Sequence, residues 1–373
     1  MDSGWKAFRK MRDEKRALEN GNKSSKDLDS DRFSPDFLAT LPKKVAAAIK
    51  DIPVSEAQEK LPDELKLYYE KLRQKRGADF EKDILQAFNP LRSRSADDFP
   101  KGSNSELRAR EGNILGAILL QNPTFKATVP VACERSNYRA PELIGSGVLL
   151  RIGDCVFLFT AAHIADFAGE GTLLIPGRDG FMPVNGFYSV GPMPPSGNRD
   201  DDNLDVAFVC LNTECAENLD AGRIIFEASD LSLEAEPKLR YIYSFAGYPW
   251  RKSRARQSAI ETEFITIESS EIPKEQYEAL GLARSKHIAI QFNRKRTFSE
   301  LHRRVVVPPM PSGMSGGGVY AWSEDALKKW PVRLPLVGIA NEYIPDKSLL
   351  IATRLNFYFR CIANVHPHLV SVE

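Results

Sequence analysis

Three side chains of this sequence could act together on a carbonyl group: His163 in "FLFTAAHIAD", Asp205 in "DDNLDVAFVCL" and Ser315 in "PPMPSGMSGGGVY". A serine hydroxyl attacks effectively only when a base takes its proton. Histidine has the ordinary pKa best suited to that task. A carboxylate on the far ring nitrogen fixes the tautomer and stabilises the imidazolium. The resulting oxyanion needs donors, and a tight Gly-x-Ser turn offers the N–H groups of Gly313 and Ser315. One such donor is worth about 3 kcal/mol of transition-state stabilisation. Each feature alone is ordinary, since glycine-rich serines occur in loops and aspartates often open strands as turn residues. Their joint order within one β-rich region points to a single site.

The elements that must position them begin near residue 111. Short Val-, Ile- and Phe-rich runs follow one another: "GSGVLLRI", "DCVFLFTAA", "DVAFVCL", "RYIYSFAGY", "EFITIES", "HIAIQF", "GGGVYAW", "PLVGIA" and "SLLIATRL". Gly, Pro and Asn/Asp clusters separate them, and Gly153-Asp154 is a hairpin signal. This spacing predicts an all-β sandwich or barrel over 111–373. Helical patterns there are few, with 274–281 and 323–330 foremost, both read as surface insertions.

Residues 1–33 are polar and charged and read as a flexible N-terminus. Residues 34–110 read as an α-helical region plus linker. Ser34 and Pro35 form a helix start, and Leu38, Leu41, Val45 and Ile49 make one apolar face. The stretch 89–112 has no periodicity and reads as the linker.

Composition narrows the partners. Net charge is +1 over 373 residues, which argues against a polyanionic partner, so nucleic acid is not expected. The charged N-terminus lacks a secretory pattern, and the longest apolar run, 114–120, is too short to span a bilayer. Five cysteines without a C-x-x-C pair predict reduced thiols in a cytoplasmic protein. No metal or cofactor is expected. The acidic run 198–203 lacks EF-hand spacing and reads as a solvated loop, while His287, His302, His366 and His368 lack zinc-ligand partners.

Together, "GSGVLL…FLFTAAHIAD", "NLDVAFVCL", "PSGMSGGGVY" and "LVGIANEY" resemble the trypsin-like (chymotrypsin-fold) serine peptidases, in particular cytosolic bacterial-type members without disulfides. The resemblance covers about 125–365. It implies two six-stranded antiparallel β-barrels, about 111–225 and 226–373, with the site between them. It also implies a Ser315 nucleophile, a His163 base, an Asp205 orienting group and a Gly313/Ser315 oxyanion hole. Pro309, Ser312, Asn341 and Glu342 then line the substrate cleft. Pro309 stands where digestive members shape the pocket floor, so the absence of a carboxylate favours a small or apolar residue before the scissile bond.

Two positions depart from secreted members. Ile164 replaces a cysteine after the histidine, and Met314 replaces an acid before the nucleophile. The partners implied are a protein or peptide substrate, with the 34–110 region as a regulatory or partner-selecting module. The alternatives are a catalytically silent binding module on the same fold and an esterase using the same triad.

Overall fold

The computed structural model describes residues 123–369 apart from 137, 139, 220–229, 235–241, 251–253, 257–258, 263, 293–296, 300–303, 307–309 and 323–332, together with 70, 73 and 74. All lie in the compact unit Asp63–Glu373. The helices expected over 34–88, apart from residues 70, 73 and 74, which are helical, and the one at 323–330, together with Pro309, lie outside the described residues.

Short runs rich in Val, Ile and Phe form two curled antiparallel sheets. The first contains β1 (Thr128–Glu134), β2 (Glu142–Ile152), β3 (Cys155–Ala161), β4 (Thr172–Gly177), β5 (Gly180–Pro183), β6 (Gly186–Val190) and β7 (Val206–Leu211), ordered β5-β4-β1-β2-β3-β7-β6. Seven strands appear here where six were expected, because one stretch of chain bends at Val184 and Asn185. On one side of the bend β5 pairs with β4, and on the other β6 pairs with β7. Val184 N–H donates to Leu173 O at 2.8 Å and Asn212 N–H to Asn185 O at 3.0 Å, carrying both ladders through the corner. The two edges of the sheet therefore meet at that corner.

The second sheet contains β8 (Ile242–Gly247), β11 (Ile265–Ser270), β12 (His287–Gln291), β15 (Gly318–Trp322), β16 (Leu336–Ile344) and β17 (Leu349–Arg354), ordered β11-β8-β15-β16-β17-β12. A bridge between Glu271 and Ile290 and the Ile272 N–H to Ala289 O bond of 3.0 Å link its two ends. Two ribbons, β9 (Arg254–Arg256) with β10 (Ala259–Glu261) and β13 (Thr297–Ser299) with β14 (Arg304–Val306), complete the described strands. Gly153 makes the expected hairpin between β2 and β3, with φ at 56°. The expected helical segment at 274–281 is present as a helix over Lys274–Ala279.

Each sheet wraps its own core. Val129, Val131, Leu149, Leu158, Ile164, Leu173, Val209 and Leu211 fill the first. Tyr243, Phe245, Ile288, Ile290, Met314, Val319 and Leu350 fill the second. Fully burying one such aliphatic or aromatic side chain contributes about 1.5–3 kcal/mol. Thr128 Oγ1 and Tyr320 Oη, 2.7 Å apart, join the sheets. The C-terminal helix (Leu355–Val365) leaves β17 and returns to the first sheet. There Tyr358 stacks on Phe159 at 5.1 Å, and its hydroxyl donates to Thr160 O at 2.9 Å.

Candidate active site

His163 sits in a four-residue helical turn, Ala162–Ala165, directly after β3, and Asp205 precedes β7. Because β3 and β7 pair antiparallel, with Ala161 opposite Val206, the end of one strand and the start of the other are adjacent. Asp205 therefore grips the histidine turn at three points. Its Oδ2 lies 2.6 Å from His163 Nδ1, its Oδ1 accepts His163 N–H at 2.9 Å, and its carbonyl accepts Ala162 N–H at 2.9 Å. The carboxylate only accepts when ionised, so Nδ1 carries the proton and Nε2 is the bare, basic nitrogen. His163 Nε2 has no hydrogen-bond partner among the described residues, and the side chain is 35% exposed. Among the described residues that nitrogen is free to accept from a proton donor beside the half-exposed side chain.

Asp205 adopts φ of 49°, a left-handed conformation that costs a non-glycine residue roughly 1–3 kcal/mol. The surrounding bonds hold it there. Asp202 Oδ1 accepts Leu204 N–H at 3.1 Å and Asp205 N–H at 3.0 Å. The other Asp202 oxygen accepts Arg199 Nη1 at 3.0 Å, and Arg199 Nε reaches Asp166 at 2.8 Å. The acidic run 198–203 is the mostly exposed loop that was expected, and its Asp202 also braces the Asp205 turn. From the second sheet, Asn341 Nδ2 donates to Leu204 O at 3.0 Å and Thr353 Oγ1 to the same oxygen at 2.6 Å.

The serine loop is shaped by close approach. Gly313 and Gly316 have φ of 96° and 83°, conformations available cheaply only to glycine. A Cβ on Gly316 would also collide with the Ser146 carbonyl and the Thr160 hydroxyl. Steric need of the fold, rather than clearance for a ligand, thus accounts for Gly316. Met314, expected to be the odd residue, is 2% exposed and packs in the second core. An apolar anchor seats this loop.

Peptide planarity then orients the two candidate donors. In a trans peptide the N–H points opposite to the preceding carbonyl. Ser312 O accepts Trp250 N–H at 3.0 Å, which turns Gly313 N–H the other way. Met314 O accepts Gly317 N–H at 2.9 Å, which does the same for Ser315 N–H. Met314 N–H, between them, is taken by Pro311 O at 2.8 Å. Among the described residues neither Gly313 N–H nor Ser315 N–H donates to a partner.

Ser146 of β2 ties this loop to the first sheet. Its N–H donates to Ser315 O at 2.8 Å, its hydroxyl donates to Gly313 O at 2.9 Å, and the same hydroxyl accepts Tyr248 N–H at 2.9 Å. Gly145 marks where the serine and histidine segments meet. A Cβ there would stand 3.1 Å from Ser315 O and 2.6 Å from Ile164 Cδ1. No hydrogen bond joins Ser315 Oγ to His163 among the described residues, although their two segments adjoin.

Of the residues expected to line the cleft, Ser312 is exposed beside Gly313. Asn341 is buried, with its amide nitrogen committed to Leu204 O and to Thr353 Oγ1 at 2.8 Å. Partial desolvation pushes the Glu342 carboxyl above its usual range, and Asp200 and Asp205 push the same way. His163 and Lys347 pull it back, which places Glu342 within electrostatic reach of the His163–Asp205 pair. No cluster of potential metal ligands occurs among the described residues. Ser146, Asp202 and Thr353 are the site residues that sequence reasoning missed. Ser146 and Thr353 work on backbone groups far away in the chain, whereas Asp202 bonds to N–H groups two and three residues on, a local turn pattern.

No family model matches the sequence, and no curated protein matches it. Solved structures give weak similarity. The serine protease domain of the Sesbania mosaic virus polyprotein is 16% identical, covers 65% of this chain and 92% of its own, and gives a TM-score of 0.35. The MamO protease domain from Magnetospirillum magneticum is 13% identical, covers 67% and 98%, and gives 0.35. A mutant of the Tobacco Etch Virus protease is 13% identical, covers 68% and 84%, and also gives 0.35.

Proposed function

We propose that this chain is a serine endopeptidase of the chymotrypsin-like double-barrel type. Ser315 Oγ attacks the substrate carbonyl as His163 Nε2 takes its proton. Gly313 and Ser315 N–H groups receive the oxyanion. His163 then protonates the leaving amine, and water releases the acyl group from Ser315 by the reverse proton path. Asp205 keeps the imidazole in the required tautomer. The observation that carries this reading is the double contact of Asp205 on His163, at Nδ1 and at the backbone N–H.

The substrate is a protein segment with a small or apolar residue before the scissile bond. Residues 34–110 select partners, and the working compartment is the reducing cytoplasm. The test is fluorophosphonate labelling followed by intact-mass and peptide mapping. Wild type is labelled on Ser315 and Ser315→Ala is not. Labelling that survives in a folded Ser315→Ala protein, or never occurs in folded wild type, rejects the proposal. A peptide-library cleavage profile dominated by Arg or Lys rejects the stated preference.

A further inference from the structure

The turn that carries Asp205 is held from the second sheet by one more side chain. His287, the first residue of β12, is 3% exposed. Its Nε2 lies 3.0 Å from the Asn203 carbonyl oxygen, a partner 84 residues away in the chain. A carbonyl can only accept, so Nε2 is the protonated nitrogen. Nδ1 lies beside Ala283, 3.2 Å from its amide nitrogen and 3.1 Å from its carbonyl oxygen. The Asn203 contact fixes the ring direction, whichever Ala283 group Nδ1 engages. In the β12–β17 ladder His287 stands directly opposite Thr353. Directly opposed residues project from the same face of a sheet. His287 takes the carbonyl of residue 203, and Thr353 with Asn341 takes that of residue 204.

We propose that His287 is a positioning residue for the His163–Asp205 pair, acting through the Asn203 carbonyl. The inference rests on the peptidase reading above. Asp205 holds a left-handed backbone conformation that relaxes unless neighbouring bonds over-determine it. Asn203 is two residues before it, so freeing that carbonyl frees the peptide planes that lead into the strained residue. The second sheet, which supplies Ser315, would in this way also set the direction of the carboxylate that orients the base.

The test compares wild type, His287→Gln and His287→Met. Gln keeps an N–H donor of similar reach, and Met keeps bulk without one. The first measurement is the second-order rate of Ser315 labelling by a fluorophosphonate. The second is the downfield proton resonance of His163 Nδ1–H, which reads the histidine–aspartate pair without any turnover. His287→Met should label on the order of tenfold more slowly and broaden or lose that resonance. His287→Gln should recover the resonance and come within about threefold of the wild-type rate.

Unchanged labelling and resonance in folded His287→Met overturns the proposal. So does an equal loss in both variants, which would mean that ring shape and not the donor matters. A His287→Met chain that fails to fold makes His287 a scaffold residue and overturns it as well. If wild type itself is never labelled, the peptidase reading falls, and the resonance comparison alone decides the role of His287.

Discussion

The Ser146 hydroxyl, on the first sheet, donates to the Gly313 carbonyl, in the loop entering β15 of the second, at 2.9 Å. The same hydroxyl accepts Tyr248 N–H, so one buried oxygen locks the loop that bears both candidate oxyanion donors. Ser146→Ala removes this shared partner from the half-buried Gly313 carbonyl and Tyr248 N–H. Stability should fall by about 1–3 kcal/mol in denaturant unfolding. Labelling of Ser315 should slow on the order of tenfold, because the loop loses its registration. A fall in stability with unchanged labelling would show that the bond serves the fold alone.

Gly316 admits no side chain. Both its backbone angle and the adjacent Ser146 carbonyl forbid a Cβ. Gly316→Ala should destabilise the protein by about 3 kcal/mol or more, read as a lower melting temperature or as insoluble expression. A melting temperature equal to wild type would contradict the loop geometry described here.

Replacing Ser315 or His163 with alanine should each reduce peptide hydrolysis by on the order of 10⁶ in kcat. Asp205→Asn should cost about 10⁴, because the amide stabilises the wrong imidazole tautomer while filling the same space. Steady-state assays on a cleaved reporter peptide, beside thermal melts of each variant, separate lost chemistry from lost fold.

Burial holds His287 below the ordinary histidine range, and the nearby Lys286 and Arg354 add to the shift against its hydrogen bonds to Asn203 and Ala283. The unfolded chain therefore binds this proton more readily than the folded one. The contribution of neutral His287 is fully present above an ordinary histidine pKa of about 6.5 and fades as pH falls through the lower folded value. Acidification from about pH 7.5 to about pH 5 should lower the wild-type melting temperature more than that of His287→Gln. Parallel melting curves would remove His287 from the acid-sensitive groups.

Much of this arrangement is legible in the sequence, and the rest is hidden for identifiable reasons. The nine apolar runs each became a strand, and most are short near-continuous runs buried on both faces. The strand Thr128–Glu134 was missed because Pro130 cannot donate to a ladder. It is tolerated because β4 pairs only with Ala132–Glu134, leaving Pro130 with β2 alone. His163 and Asp205 could be paired from their order and context. Ser146, Thr353 and His287 could not, because each hydrogen-bonds to a backbone group whose position depends on the folded chain. Asn341 shows the same limit. Expected at the cleft for substrate, it spends its amide on Leu204 O and Thr353.

Met314 has one further consequence. A loop seated by an oily side chain takes its shape from the packing of the second core. Under the peptidase reading, whatever loosens that packing also unsettles Ser315.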